Sequence, residues 1–267
     1  GCFKKNINMS SIELKIENKV AFITLNRPEV FNSFNREMAF LLHDTLDACE
    51  TNAEVRAIVL TGNGKAFCAG QDLKEVTDPE LNPGFKKILE EHYNPIITRI
   101  RAIKKPIVAA VNGVAAGAGA NIALACDIVV AHEKVSFIQA FSLIGLVPDS
   151  AGTFFLPRLI GFQKALALAM LGDKISASEA ENMGMIYKCV SLDDFEDTIN
   201  KLATKLANMP TKALGLIKEL YNASMTNTLE EQLALESKLQ IIAAQSSDYG
   251  EGVAAFIEKR KPEFKGN

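Results

Sequence analysis

The chain has 267 residues, of which 48% are hydrophobic, enough to bury a large core as one domain or as a domain with a helical extension. Its formal charge of -3 at pH 7, with Lys and Arg scattered rather than massed, leaves no basic face for nucleic acid. Five cysteines (Cys2, Cys49, Cys68, Cys126, Cys189) stand far apart with no CxxC and no His at ligand spacing, which argues against a disulfide framework or a metal site and for reduced thiols in a cytoplasmic protein.

The opening GCFKKNINMS lacks the apolar core of a secretory signal, and Met9 reads as a candidate natural start. Ile12–Glu17 and Val20–Asn26 alternate as a hairpin around Asn18-Lys19, at the edge of the fold, and Arg27-Pro28 ends the second strand. Asn35 is a candidate N-cap for a helix whose apolar residues Met38, Leu41, Leu42, Leu46 and Cys49 follow helical spacing. Arg56–Thr61 reads as a buried strand closed by Gly62-Asn63-Gly64. In KAFCAGQDL, Lys65 to Leu73, small residues sit at a strand-to-loop transition where Gly70 is free to take positive φ and leave backbone donors exposed. The spacing over Phe85–Ile103 predicts one long helix, kinked at Pro95, with Ile88, Leu89, His92, Tyr93, Ile96 and Ile100 in its stripe. His92 is a pocket candidate by that reading and a satisfied core histidine by the plainer one; His43 and His132 have no partner pattern.

Pro106 to Asp127, PIVAAVNGVAAGAGANIALACD, is a β-branched run that breaks into small residues and continues as a helix. Its length approaches the roughly 20 residues of a membrane span, but its Gly and Asn content argues against lipid, and no membrane partner is expected. Counting from Gly117 gives Gly119 and then Ile122, which fails the dinucleotide fingerprint, and the Lys of a phosphate loop is absent. Two readings stay open: a small-residue helix packed tightly on a strand, or a helix start whose free N–H groups suit an oxyanion. Ile128–Ala131 and Val135–Ile138 read as short strands. Gly145 to Thr153 reads as a turn before a helix with Leu156 and Leu159 on its face. Asp149 is then either that helix's N-cap or a functional carboxylate. Ser176-x-x-Glu179 is a capping box for a short helix stopped by Gly184. From Asp193 onward the pattern is helical: to Asn208, Thr211–Met225, a capping box at Thr228-x-x-Glu231 leading to Gln245, and Gly250–Lys261. The organisation expected is therefore a β/α core over residues 10–192 and a helical region over 193–267, the latter suited to self-association.

The segments Lys65–Leu73, Pro106–Gly113 with Gly117-Ala118-Gly119, Gly145-Leu146-Val147-Pro148-Asp149 and Ala255–Arg260 together resemble the crotonase (enoyl-CoA hydratase/isomerase) superfamily over nearly the whole chain. The resemblance implies an α/β fold, a spiral of ββα turns followed by C-terminal helices that make a homotrimer or a hexamer. It implies an acyl-CoA thioester substrate whose oxygen is held by the N–H groups of Gln71 and Ala118, with no cofactor beyond the CoA itself and no metal. The family often has Gly where this chain has Ala118, and the N–H survives that change. Hydratases carry two Glu that activate water; at the matching positions stand Asn121 and Phe141, which disfavours that hydration mechanism. Asp149 occupies the turn where isomerase-type members carry their acid, and an apolar wall including Phe141 and Leu146 would strengthen it as a base.

The same resemblance places CoA against Ala66, Gly70, Asp72 and Leu73, with Asn26 and Arg27 near the pocket entrance and Phe256 and Lys259 reaching a neighbouring subunit's CoA; Arg27 and Lys259 read equally as solvated charges and Phe256 as core. Glu29 stands where many relatives carry a phosphate-contacting Lys. The run Phe137–Phe141 with Ile144–Asp149 is similar to phenylacetate-pathway isomerases that convert a ring epoxide to an oxepin thioester, although Ser150-Ala151-Gly152 departs from their commoner Ser-Gly-Gly. The expected activity is Δ3 to Δ2 enoyl-CoA isomerisation; the ring-epoxide reaction, an enoyl-CoA hydratase and a non-catalytic acyl-CoA-binding module are the alternatives.

Overall fold

Asn18 and Lys19 both take left-handed backbone, with φ of 50° and 65°, and such a two-residue turn matches the twist of the strands it joins. It closes β1 (Ile12–Glu17) on β2 (Val20–Leu25) as an antiparallel hairpin. The computed structural model describes residues 10–267, so Cys2, Met9 and the rest of the leading segment lie outside the described residues.

Asn35 caps α1 (Arg36–Thr51) by accepting the Met38 N–H, and the helix buries Met38, Leu42, Leu46 and Cys49. After it the chain repeats one plan. Strand β3 (Ala57–Gly62) is followed by β4 (Ala66–Cys68), α2 (Leu73–Thr77) and α3 (Phe85–Lys87); a π-helical turn over Ile88–Tyr93 leads into α4 (Asn94–Ala102). Then come β5 (Ile107–Val111), β6 (Val114–Ala116) and α5 (Ala118–Ala125), and after them β7 (Ile128–His132), β8 (Ser136–Ile138), α6 (Gly152–Ile160) and α7 (Phe162–Leu171). The first strands of each turn stack in parallel on β2 in a six-stranded sheet of order β1-β2-β3-β5-β7-β10, with β10 at Lys188–Val190; the second strands form a smaller sheet of order β4-β6-β8-β9, with β9 at Lys174–Ser176 antiparallel to β8. This is the expected spiral of ββα turns, each turn contributing one strand to each sheet.

Three short strands have no counterpart in the sequence reading: β6, β9 (Lys174–Ser176) and, after α8 (Ala177–Asn182), β10 (Lys188–Val190). Three residues are too few for a period of two to show. The single kinked helix expected over 85–103 is corrected as well. The Asn94 N–H reaches back five residues to the Leu89 carbonyl, and the widened turn lies just before Pro95, which has no N–H to give. Leu159, placed on the buried face of α6 by spacing, is 39% exposed, while Leu156 is buried.

Beyond β10 the chain is helical: α9 (Leu192–Ala207), α10 (Thr211–Ser224), α11 (Leu229–Ala244) and α12 (Ser247–Glu258). Ile199, Ala203, Leu206 and Ala207 of α9 cover the outer face of the large sheet at Val20, Ala57, Val59, Val108, Ala110 and Val130. Ile58, Leu60, Ala109 and Val111 point the other way, into the main core. Strands β3 and β5 are thus covered on both faces, which is why they read as unbroken apolar runs rather than alternating ones.

Candidate active site

Gly70 has φ of 96°. A Cβ on it would sit 3.1 Å from the Ala116 carbonyl oxygen and 3.6 Å from the Ala118 nitrogen, so only glycine brings these two loops together without strain. On its other side the loop bonds Phe34, whose N–H donates to the Gly70 carbonyl (2.7 Å) and whose carbonyl accepts the Asp72 N–H (2.8 Å). A parallel bridge of this pattern uses the residues flanking Gln71, and turns the Gln71 N–H itself away from Phe34. Ala118 opens α5, where the first N–H groups have no intrahelical acceptor. Neither the Gln71 N–H nor the Ala118 N–H has an acceptor among the described residues. Helix α5 stays close because Gly119 packs on β4; a Cβ there would fall 2.3 Å from the Cys68 carbonyl oxygen.

Both donors line a cavity of about 570 Å³. Its walls include Phe31, Phe85, Ile88, Tyr93, Phe141, Ile144 and Leu146, and Asp149 stands among them. Burial in this apolar setting raises the Asp149 carboxyl above its ordinary value, and the Ser150 hydroxyl, donating at 2.8 Å, partly opposes the rise. The N-cap reading of Asp149 does not describe its side chain: α6 begins at Gly152, with Ala151 as N-cap, and it is the Asp149 carbonyl that accepts the Gly152 N–H (2.9 Å). Asn121, buried, donates its Nδ2 to that same carbonyl (2.9 Å), and the Gln139 amide donates in turn to Asn121 Oδ1 (2.7 Å). Asn121 therefore holds the turn that presents Asp149. Cys68 lies beneath Gly70, but burial pushes its thiol up to about 12, so it is no nucleophile at neutral pH.

The remaining sequence candidates divide. Asp72, Leu73 and Gly70 line the cavity with Gln71, and Glu29 is at its wall. Asp72 also caps α2 by accepting the Lys74 N–H (2.9 Å) and pairs with Arg27 at 2.8 Å. Arg27 gives its other arm to the Ser33 carbonyl at 2.6 Å, so its guanidinium ties loops together and is not free in solvent. Asn26 is buried between the Ser10 carbonyl, Glu13 and Asn63, and the Ala66 carbonyl is taken by the Asn32 and Asn112 side chains. None of Asn26, Arg27 and Ala66 lines the cavity, and neither do Phe256 and Lys259, which lie at the end of α12.

His92 is buried outside the cavity, 3.2 Å from Arg36 Nη1, with the Phe40 ring against it and its carbonyl accepting His43 Nε2 (2.9 Å). The π-helical turn explains this placement, because a five-residue period puts Ile88 and Tyr93, rather than His92, on the cavity side. Tyr93, Ser150 and Gln139 belong to the site's support and were not singled out by sequence; Pro95 is the one local signal that the helical period changes. Among the described residues no group of three or more His, Cys, Asp or Glu is arranged to hold a metal ion, and no helix is long and apolar enough to cross a membrane.

Two N–H groups without acceptors and a half-buried carboxylate thus line one cavity, in a ββα spiral of the crotonase kind. The family model described as enoyl-CoA hydratase/isomerase matches residues 15–267, and the chain belongs to that family. It is similar to the 1,2-epoxyphenylacetyl-CoA isomerase of Escherichia coli, 46% identical over 97% of this chain and 99% of that one. It is also similar to a probable enoyl-CoA hydratase of Rhodobacter capsulatus, 45% identical over 96% of this chain and 98% of that one. Among solved structures, a putative enoyl-CoA hydratase/isomerase from Mycobacterium abscessus superposes with a TM-score of 0.89 at 37% identity, covering 96% of this chain and 100% of the other. The chain is thus an enzyme of the crotonase superfamily.

Proposed function

We propose that the protein isomerises an acyl-CoA thioester, shifting a Δ3 double bond to Δ2, with Asp149 as the base that carries the proton. The observation that carries this is the position of Asp149: a carboxylate whose pKa burial raises, in the same cavity as the two free N–H groups. Asp149 takes the C2 proton; the C2–H electron pair flows toward the thioester, giving a dienolate whose oxygen accepts from the Gln71 and Ala118 N–H groups. Reprotonation at C4 by the same carboxyl moves the double bond and restores the base. The transfer is balanced within the substrate, so it calls on no carrier other than the substrate's own CoA. Losing one such donor typically costs about 3 to 4 kcal/mol of barrier.

Asn121 and Phe141 supply no second carboxylate, which supports isomerisation over hydration. A second reading, ring-epoxide isomerisation of an aromatic thioester, draws support from the 46% identity to the Escherichia coli enzyme. The test is Asp149→Asn, for which loss of turnover by about 10²- to 10⁴-fold with retained acyl-CoA binding is expected; near-wild-type activity sinks the assignment. Rates on 3-hexenoyl-CoA and on the epoxide thioester rank the two readings, and exclusive use of the epoxide puts the second reading first. Homotrimeric or hexameric assembly through the C-terminal helices is part of the same proposal.

A further inference from the structure

We infer that Tyr93 is a positioning residue for the oxyanion site: its hydroxyl fixes the Gln71 side chain and, through it, the direction of the Gln71 N–H. This rests on the reading of Gln71 as an oxyanion donor. Tyr93 Oη donates to Gln71 Oε1 at 2.8 Å. The other end of that amide is also fastened: Gln71 Nε2 donates to Glu75 Oε2 at 2.6 Å and approaches the Asp72 carbonyl at 3.3 Å. Glu75 is anchored in turn, because its Oε1 accepts the Arg36 N–H at 2.7 Å, where α1 begins.

The phenol is held as firmly as the amide. Tyr93 is 1% exposed, and its ring meets the edge of Phe34 at 6.0 Å and 73°. Phe34 is the residue whose main chain bonds both neighbours of Gln71. Gln71 is thus gripped on its backbone by Phe34 and on its side chain by Tyr93 and Glu75, with Tyr93 and Phe34 bracing each other. A donor that stabilises a developing oxyanion has to be aimed before charge appears, since reorientation during reaction forfeits the gain. Burial raises the Tyr93 phenol well above its usual range, so the group stays a neutral donor at every working pH.

Tyr93→Phe keeps the cavity wall and deletes only the hydroxyl. The readout is the thioester carbonyl stretch of bound hexanoyl-CoA, a saturated thioester without the double bond to be moved, together with kcat and KM on 3-hexenoyl-CoA. In the wild-type enzyme the stretch is expected well below its value in water. In Tyr93→Phe it is expected to move back part of the way, with kcat about tenfold lower and KM within about twofold. Gln71→Met removes the amide that Tyr93 acts on, and the double variant is expected to be no slower than Gln71→Met alone. Unchanged stretch and kcat in Tyr93→Phe overturn the inference, and so do additive losses in the double variant. If Tyr93→Phe does not fold, the inference stands on whether Gln71→Met, which frees the same hydroxyl, lowers kcat and raises the stretch; it falls if neither moves. A wild-type stretch equal to that in water fails the underlying oxyanion reading, which separates that failure from a failure of the positioning role.

Discussion

At the scale of single residues the proposed chemistry turns on how Asp149 is held. Its folded pKa is raised from an ordinary 3.8, so the folded chain holds that proton to higher pH than the unfolded chain does. The stability this gives is fully present below 3.8 and is lost as pH rises through the folded pKa. Asp149→Asn is therefore expected to unfold at higher urea concentration than wild type at neutral pH, with the advantage gone below that range. The acid limb of kcat/KM is expected above 3.8, since the base has to be ionised; a limb at or below that value contradicts the apolar setting. Next to it, Ser150 and Ala151 take φ of 52° and 60°, a left-handed backbone that side chains resist by about 1–2 kcal/mol per residue. Ala151→Gly relieves this against a larger unfolded-state entropy and is expected to stabilise by about 0.5–1 kcal/mol in urea unfolding.

At the scale of elements, the two donor loops were legible because glycine and small residues at strand ends announce where backbone lies bare, and KAFCAGQDL and GVAAGAGAN both do so. Their pairing was legible only through the family resemblance, since no spacing within either loop shows that Gly70 abuts Ala116. The π-helical turn was hidden for the same reason: one extra residue in a turn is set by Pro95 and by packing on α1, and it moved His92 out of the cavity and Tyr93 into its wall. Helices α4 and α10 are locked to the start of β5 through Asp127, which accepts from Arg101 (3.0 Å), Lys218 (2.9 Å) and the Ile107 N–H (2.8 Å). Lys218 is buried, which lowers its pKa against the pull of Asp127. Asp127→Ala leaves that ammonium without its counter-charge, and about 3 kcal/mol or more of stability is expected to be lost in urea unfolding.

At the scale of the whole molecule, α11 and α12 leave Leu229, Leu233, Ile241, Phe256 and Ile257 exposed, Phe256 at 86%. Large apolar side chains on consecutive helices are costly in water, and sedimentation is expected to give three or six chains; a monomer at micromolar concentration contradicts the proposed assembly. By itself the sequence determined the class of fold and named the candidate groups of the site. Strand-length apolar runs, capping residues and small residues at strand ends are local, and Asn121, Phe141 and Asp149 are identities that no folding alters. Only the tertiary structure decided how these groups are held: that Gly70 abuts Ala116, that Arg27 is spent on Asp72, and that Asn121 acts through the Asp149 carbonyl. Those are contacts between residues far apart in the chain, set by how the two sheets stack and not by any local period.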